Sequence, residues 1–121
     1  MEEHGNTELT RLSNAMVLLY KDIYGRGPTK ARTSYAGPDL IVSSLEDSLT
    51  RIERTMADAG EHQRLRGLRI DLQYTAEADF VGAVEEITGR KVVAFVSGMD
   101  TVNDVAAELF YLEPRANGAP G

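Results

Sequence analysis

The apolar positions of the chain change period along its length, and each change marks an element. Leu9, Leu12, Met16, Leu19 and Ile23 recur at spacings of 3, 4, 3 and 4, the stripe of an amphipathic helix over residues 7–24. Val17, Tyr20 and Tyr24 widen that stripe. Asn6 or Thr7 can cap its start. Gly25 and Gly27-Pro28 end it, because glycine accepts a left-handed conformation and proline has no N–H to continue the ladder.

Residues 30–35 and 40–46 are rich in Thr, Val, Ile and Tyr, and Gly37-Pro38-Asp39 between them has turn chemistry, so the pair reads as a hairpin. Thr50 and Glu53 then have the spacing of a capping box, in which each side chain reaches the other's backbone N–H. Ile52, Met56 and Ala59 share one face of the second helix, and Gly60 stops it. Leu65, Leu68, Leu72, Ala76, Phe80, Val84 and Ile87 lie in one broad arc, which predicts a third helix over residues 61–88 closed by Gly89.

Residues 91–97 are apolar on both faces and predict a central strand with Val93, Phe95 and Val96 interior. Residues 98–104 read as a loop, and residues 105–112 as a last strand with Glu108 on its less buried face. The order α-β-β-α-α-β-β predicts an α+β two-layer domain, helices packed on a largely antiparallel four-stranded sheet. A straight 28-residue helix would span about 42 Å, against a domain diameter of roughly 35 Å. The third helix must therefore bend, with Tyr74-Thr75 as the weak point, or overhang into a second subunit. With the stripe of the first helix, this leads to the expectation of a homodimer that buries part of helix one.

A chain of 121 residues is the size of one domain, expected over residues 7–113 with residues 1–6 and 114–121 as flexible termini. The absence of cysteine excludes disulfides, thiolate metal sites and cysteine nucleophiles. A net charge of −6 argues against nucleic acid as a partner. The acidic start lacks the layout of a secretory signal, and the apolar run 15–20 is far below the ~20 residues that span a bilayer. The expectation is a cytoplasmic protein that does not itself insert into a membrane.

Candidate chemistry is sparse. The imidazoles His4 and His62 read as solvated surface groups, and His62 with Glu61 and Asp58 is a poor metal cluster because neighbouring helix positions diverge. Glu85 and Glu86 diverge likewise and read as surface charge. No catalytic residue, metal ligand or cofactor site is assigned. The most unusual stretch is Gly25-Arg26-Gly27-Pro28-Thr29-Lys30-Ala31-Arg32, whose exposed N–H groups and three cations, Arg26, Lys30 and Arg32, suit a small anion or a partner. The competing reading is a helix stop followed by an edge strand guarded by basic residues. A second basic zone, Arg51, Arg54, Arg64, Arg66 and Arg69, precedes an acidic half with Asp71, Glu77, Asp79, Glu85 and Glu86. Such segregation can orient a charged partner, with Arg64, Arg66 and Arg69 as docking residues, the competing reading being helix-surface pairing of Asp58 and Glu61 with Arg54 and Arg64.

The run Ser13-Asn14-Ala15-Met16-Val17 through Tyr24-Gly25-Arg26-Gly27-Pro28-Thr29-Lys30-Ala31 resembles the bacterial MpsC-like domain family. So do Leu49-Thr50 with Glu53-Arg54-Thr55 and Ala59-Gly60, and residues 84–92. The resemblance covers residues 8–113. It implies a small accessory or regulatory component of a Na+-translocating, membrane-potential-generating system, whose partner is a membrane transport subunit. It implies no catalytic residues, and a location in the cytoplasm or at the inner face of the membrane through that partner. The alternative, from the residues alone, is an anion- or nucleotide-sensing module built on the Gly25–Lys30 loop.

Overall fold

The computed structural model describes residues 4–115; of the flexible termini expected at residues 1–6 and 114–121, residues 1–3 and 116–121 lie outside them. The chain runs α1 (His4–Tyr24), β1 (Lys30–Tyr35), β2 (Leu40–Glu46), α2 (Arg51–Asp58), α3 (His62–Thr75), α4 (Glu77–Thr88), β3 (Val92–Asp100) and β4 (Val105–Leu112). The sheet is wholly antiparallel in the order β1-β2-β4-β3. Helices pack on one of its faces, which is the expected two-layer α+β architecture. Both hairpin strands and β4 have the predicted bounds.

Helix α1 begins at His4, earlier than the Asn6 or Thr7 cap suggested. It ends at Gly25, whose φ of 80° places it in the left-handed region. Its stripe lies on its own sheet, with Leu12, Met16 and Tyr20 fully buried. The fully buried stripe residues are therefore not the part of helix one that a second subunit could cover, although Leu18 on the same helix is exposed. The capping box of α2 forms as read: Thr50 accepts from the Glu53 N–H, and Glu53 accepts from the Thr50 N–H.

The long third helix is two helices. Ala76, at φ −93° and ψ 14°, ends α3 and starts α4. The break lets α3 and α4 both contact β3 while α4 also contacts α1. No overhang remains to argue for a second subunit.

Three rows of inward residues cross the sheet. Ala31, Leu45, Ala106 and Met99 form one, and Tyr35, Ile41, Phe110 and Phe95 another. Phe80 of α4 stacks on Phe95 at 5.6 Å, and Phe95 meets Phe110 at 5.3 Å, so an aromatic cluster joins the layers. The strand expected at the centre, β3, is an edge strand, and it continues to Asp100 through part of the expected loop. Phe95 is buried, but Val93 and Val96 are 56% and 42% exposed. Two-sided apolarity reports what lies above and below a strand, whereas edge or centre is decided in the plane by hydrogen-bonded neighbours. The two inner positions belong to β2 and β4.

Candidate functional site

Between the two apolar rows lies a polar one: Thr33, Ser43, Glu108 and Ser97 are successive cross-strand neighbours on β1, β2, β4 and β3. Glu108, expected on the less buried face, is completely buried. Its position follows from strand alternation, since Ala106, Phe110 and Leu112 point to the same face. Helix α1 supplies its partner, the Tyr20 phenol donating to Glu108 Oε2 at 2.5 Å. Glu108 Oε1 has no hydrogen-bond partner among the described residues. Burial pushes the Glu108 carboxyl from an ordinary 4.5 up to about 7, against the opposing pull of the Ser97 and Tyr20 hydroxyls and the charge of Arg69. Burial and the facing carboxylate raise the Tyr20 phenol well above its ordinary value, so it remains a donor.

The polar row continues into the helices. Ser13 of α1 donates to Thr33 at 2.8 Å, and the Thr33 and Ser43 hydroxyls share a hydrogen bond of 2.9 Å. Gln73 of α3 donates to the Ser97 hydroxyl and accepts from the Tyr24 phenol at 2.9 Å. One turn before Gln73 sits Arg69, fully buried. Its guanidinium forks onto Glu53 at 2.8 and 2.7 Å, donates to the Ser48 hydroxyl and carbonyl at 3.0 and 2.8 Å, and lies over the Tyr24 ring at 3.6 Å. Burial opposes the charge of Glu53, but hydrogen bonds from Arg69 and Thr50, with the charge of Arg69, outweigh it and hold the carboxyl below its ordinary value. Thus one carboxylate caps α2 and neutralises a buried cation.

A second cluster lies where the β2–α2 and β3–β4 connections meet. Asp47 and Asp104 have left-handed backbones, at φ 61° and 55°. Asp104 accepts from the N–H groups of Ser48 and Leu49, and Arg54 bridges the two carboxylates at 2.5 and 3.0 Å. The adjoining cleft, about 270 Å³, is lined by Arg54, Asp58, His62 and Thr101 among others. His62 Nδ1 is 2.8 Å from the Thr101 hydroxyl, so this imidazole is tied to the β3–β4 connection.

The structure does not gather the predicted anion residues into one cradle. Arg26 donates to the carbonyls of Asp47 and Leu49 at 2.5 and 3.2 Å and pairs with the Asp47 carboxylate at 3.2 Å. Lys30 and Arg32 lie on β1, with Arg32 3.4 Å from Glu46 across the hairpin. Of the docking residues, Arg64 is exposed beside Glu61, and Arg66 is exposed with its Nε donating to the Met99 carbonyl at 3.2 Å. Arg69 has no surface to offer a partner, because Glu53 and Ser48 hold it inside. Sequence reasoning missed Glu108, Tyr20, Gln73 and Ser97 as a set. The usable signal was the alternation of β4, which puts a carboxylate between inward Ala106 and Phe110. The arrangement can take up and release one proton inside the core, where Tyr20 holds one carboxyl oxygen and the other is open to protonation.

No curated protein and no solved structure matches this chain. A family model described as "Na+-translocating membrane potential-generating system (MpsC)" matches residues 6–114, which spans β1 to β4, the buried polar row and the Arg69 node. The chain belongs to the MpsC family.

Proposed function

We propose that this chain is a small accessory or regulatory component of a Na+-translocating, membrane-potential-generating system, without catalytic activity of its own. Family membership over residues 6–114 carries the reading. No helix among the described residues is long and apolar enough to cross a membrane. In this reading the chain works from the cytoplasm and reaches the inner face of the membrane through a membrane transport subunit. Segregated surface charge supports such docking: Arg51, Arg64 and Arg66 are exposed on α2 and the start of α3, and Asp71, Glu77, Asp79 and Glu86 are exposed beyond them. Complementary fields of this kind set orientation and encounter rate more than affinity.

Membrane fractionation tests the proposal. The chain should pellet with membranes only when the cognate membrane subunit is co-expressed, and rising salt should release it as screening shortens the field. Arg64→Glu with Arg66→Glu should reduce that recovery while the melting temperature stays near that of the parent. Recovery in the supernatant beside every encoded membrane neighbour, with membrane potential unaltered on deletion, overturns the reading.

A further inference from the structure

The face of the sheet turned away from the helices is apolar at its centre. Val42, Leu109 and Val96 form one cross-strand row on it, and Ser44, Ala107 and Gly98 form the next. Val42, Leu109, Val96 and Ala107 are not among the hydrophobic residues of the core or those packed against it. The charged groups of this face stand towards one end: Lys30, Glu46 and Asp100 lie at successive register positions around Val105, and Arg32, level with Ser44 in the next row, is 3.4 Å from Glu46. Among the described residues Lys30 has no carboxylate at ion-pair distance. Two cations and two carboxylates leave the face without net charge.

We infer that this face docks a second copy of the chain, sheet on sheet, about a two-fold axis parallel to the strands. Such an axis reverses the strand order while preserving level, so β1 of one protomer lies over β3 of its partner. Lys30 then stands over the partner's Asp100, Ser44 over the partner's Ala107, and Val42 over the partner's Leu109. An axis perpendicular to the strands would instead lay β1 on β1, setting Lys30 and Arg32 of both copies along the same edge. Charge therefore selects the first arrangement. The small side chains of Ser44, Ala107 and Gly98 permit close approach over β2, β4 and β3, with Arg32 at the open β1 end of that row.

Edge-to-edge pairing is the competing way to join two sheets, and both edges are guarded against it. On β3 the Ser97 N–H donates to the Tyr74 phenol at 3.0 Å, and the Met99 carbonyl accepts from Arg66. On β1 the exposed Lys30 and Arg32 protect the strand, as basic residues on free edges do. The face, not the edge, is left open.

Sedimentation equilibrium of the full chain across the micromolar range should report twice the 13.3 kDa chain mass. Val96→Lys, at a site that is already 42% exposed, should raise the dissociation constant by roughly tenfold or more through an unpaired charge in the interface. Lys30→Glu should weaken the dimer by opposing carboxylates, and adding Asp100→Asn should restore most of the loss. Asparagine keeps the acceptor that the N–H groups of Val102 and Asn103 use. Because the chain has no cysteine, Ser44→Cys and Ala107→Cys chains mixed with a short bis-maleimide should give a covalent pair. A clean monomer overturns the inference, as does a dimer indifferent to both Val96→Lys and Lys30→Glu.

Discussion

The Tyr20 phenol donates to Glu108 Oε2 across a sequence separation of 88 residues, tying the first helix to an inner strand of the sheet. The contact holds one oxygen of a buried carboxyl, and the other has no hydrogen-bond partner among the described residues. Glu108 at about 7, against an ordinary 4.5, means that the folded chain holds a proton that the unfolded chain releases between those values. Stability from this group is therefore present below the unfolded value and falls as pH rises to the folded one. The span corresponds to about 3 kcal/mol at most. Thermal unfolding from pH 5 to pH 8 should show a declining melting temperature, and Glu108→Gln should flatten that slope. An unchanged slope would place the titration elsewhere.

Arg69 and Glu53 behave oppositely. The Glu53 carboxyl is held low, so its contribution is present above the unfolded value near 4.5 and fades as pH falls through the lower folded value. Arg69→Ala leaves Glu53 and Ser48 without their donor and should cost about 3–5 kcal/mol in chemical denaturation. Arg69→Lys should recover only part of that loss, since a single ammonium cannot fork onto Glu53 and lie over Tyr24.

The basic loop gives a third test. Arg26 holds two carbonyls of the β2–α2 connection, so Arg26→Ala should lower stability by about 1–3 kcal/mol even with no anion present. Lys30→Ala, at an exposed position, should leave the melting temperature nearly unchanged. A phosphate- or bicarbonate-dependent stabilisation that Arg26→Ala abolishes would instead restore the anion-sensing role for this loop.

Strand β3 separates its own residues. Phe95 contacts Phe80, Phe110 and Tyr74, and Phe95→Ala should cost about 3–5 kcal/mol as a large-to-small core change. Val93, more than half exposed, should cost under about 1 kcal/mol when changed to alanine. Denaturation midpoints of the two variants decide whether β3 has one covered and one open face in solution.

Spacing along the chain reports local structure. The 3-and-4 spacing of Leu9 to Ile23, the Thr50–Glu53 capping box and the turn at residues 37–39 act over a few residues, so composition and spacing reveal them. Family membership is of the same kind, carried by blocks of consecutive residues. Tertiary structure decided the meaning of the charges. Arg69 and Glu108 look like surface residues beside many others, and nothing within their own segments says that Glu53 or Tyr20 will reach them. Those partners lie 16 and 88 residues away. The same limit explains β3, because face coverage shows in side-chain pattern while in-plane neighbours depend on which strand the chain brings alongside. The break at Ala76 is partly legible, since helix length and the weak Tyr74-Thr75 pair point to a bend beside it, but the apolar arc itself continues across two helices that pack on one strand. Long-range pairing turned an ordinary run of alternating residues into a buried polar row.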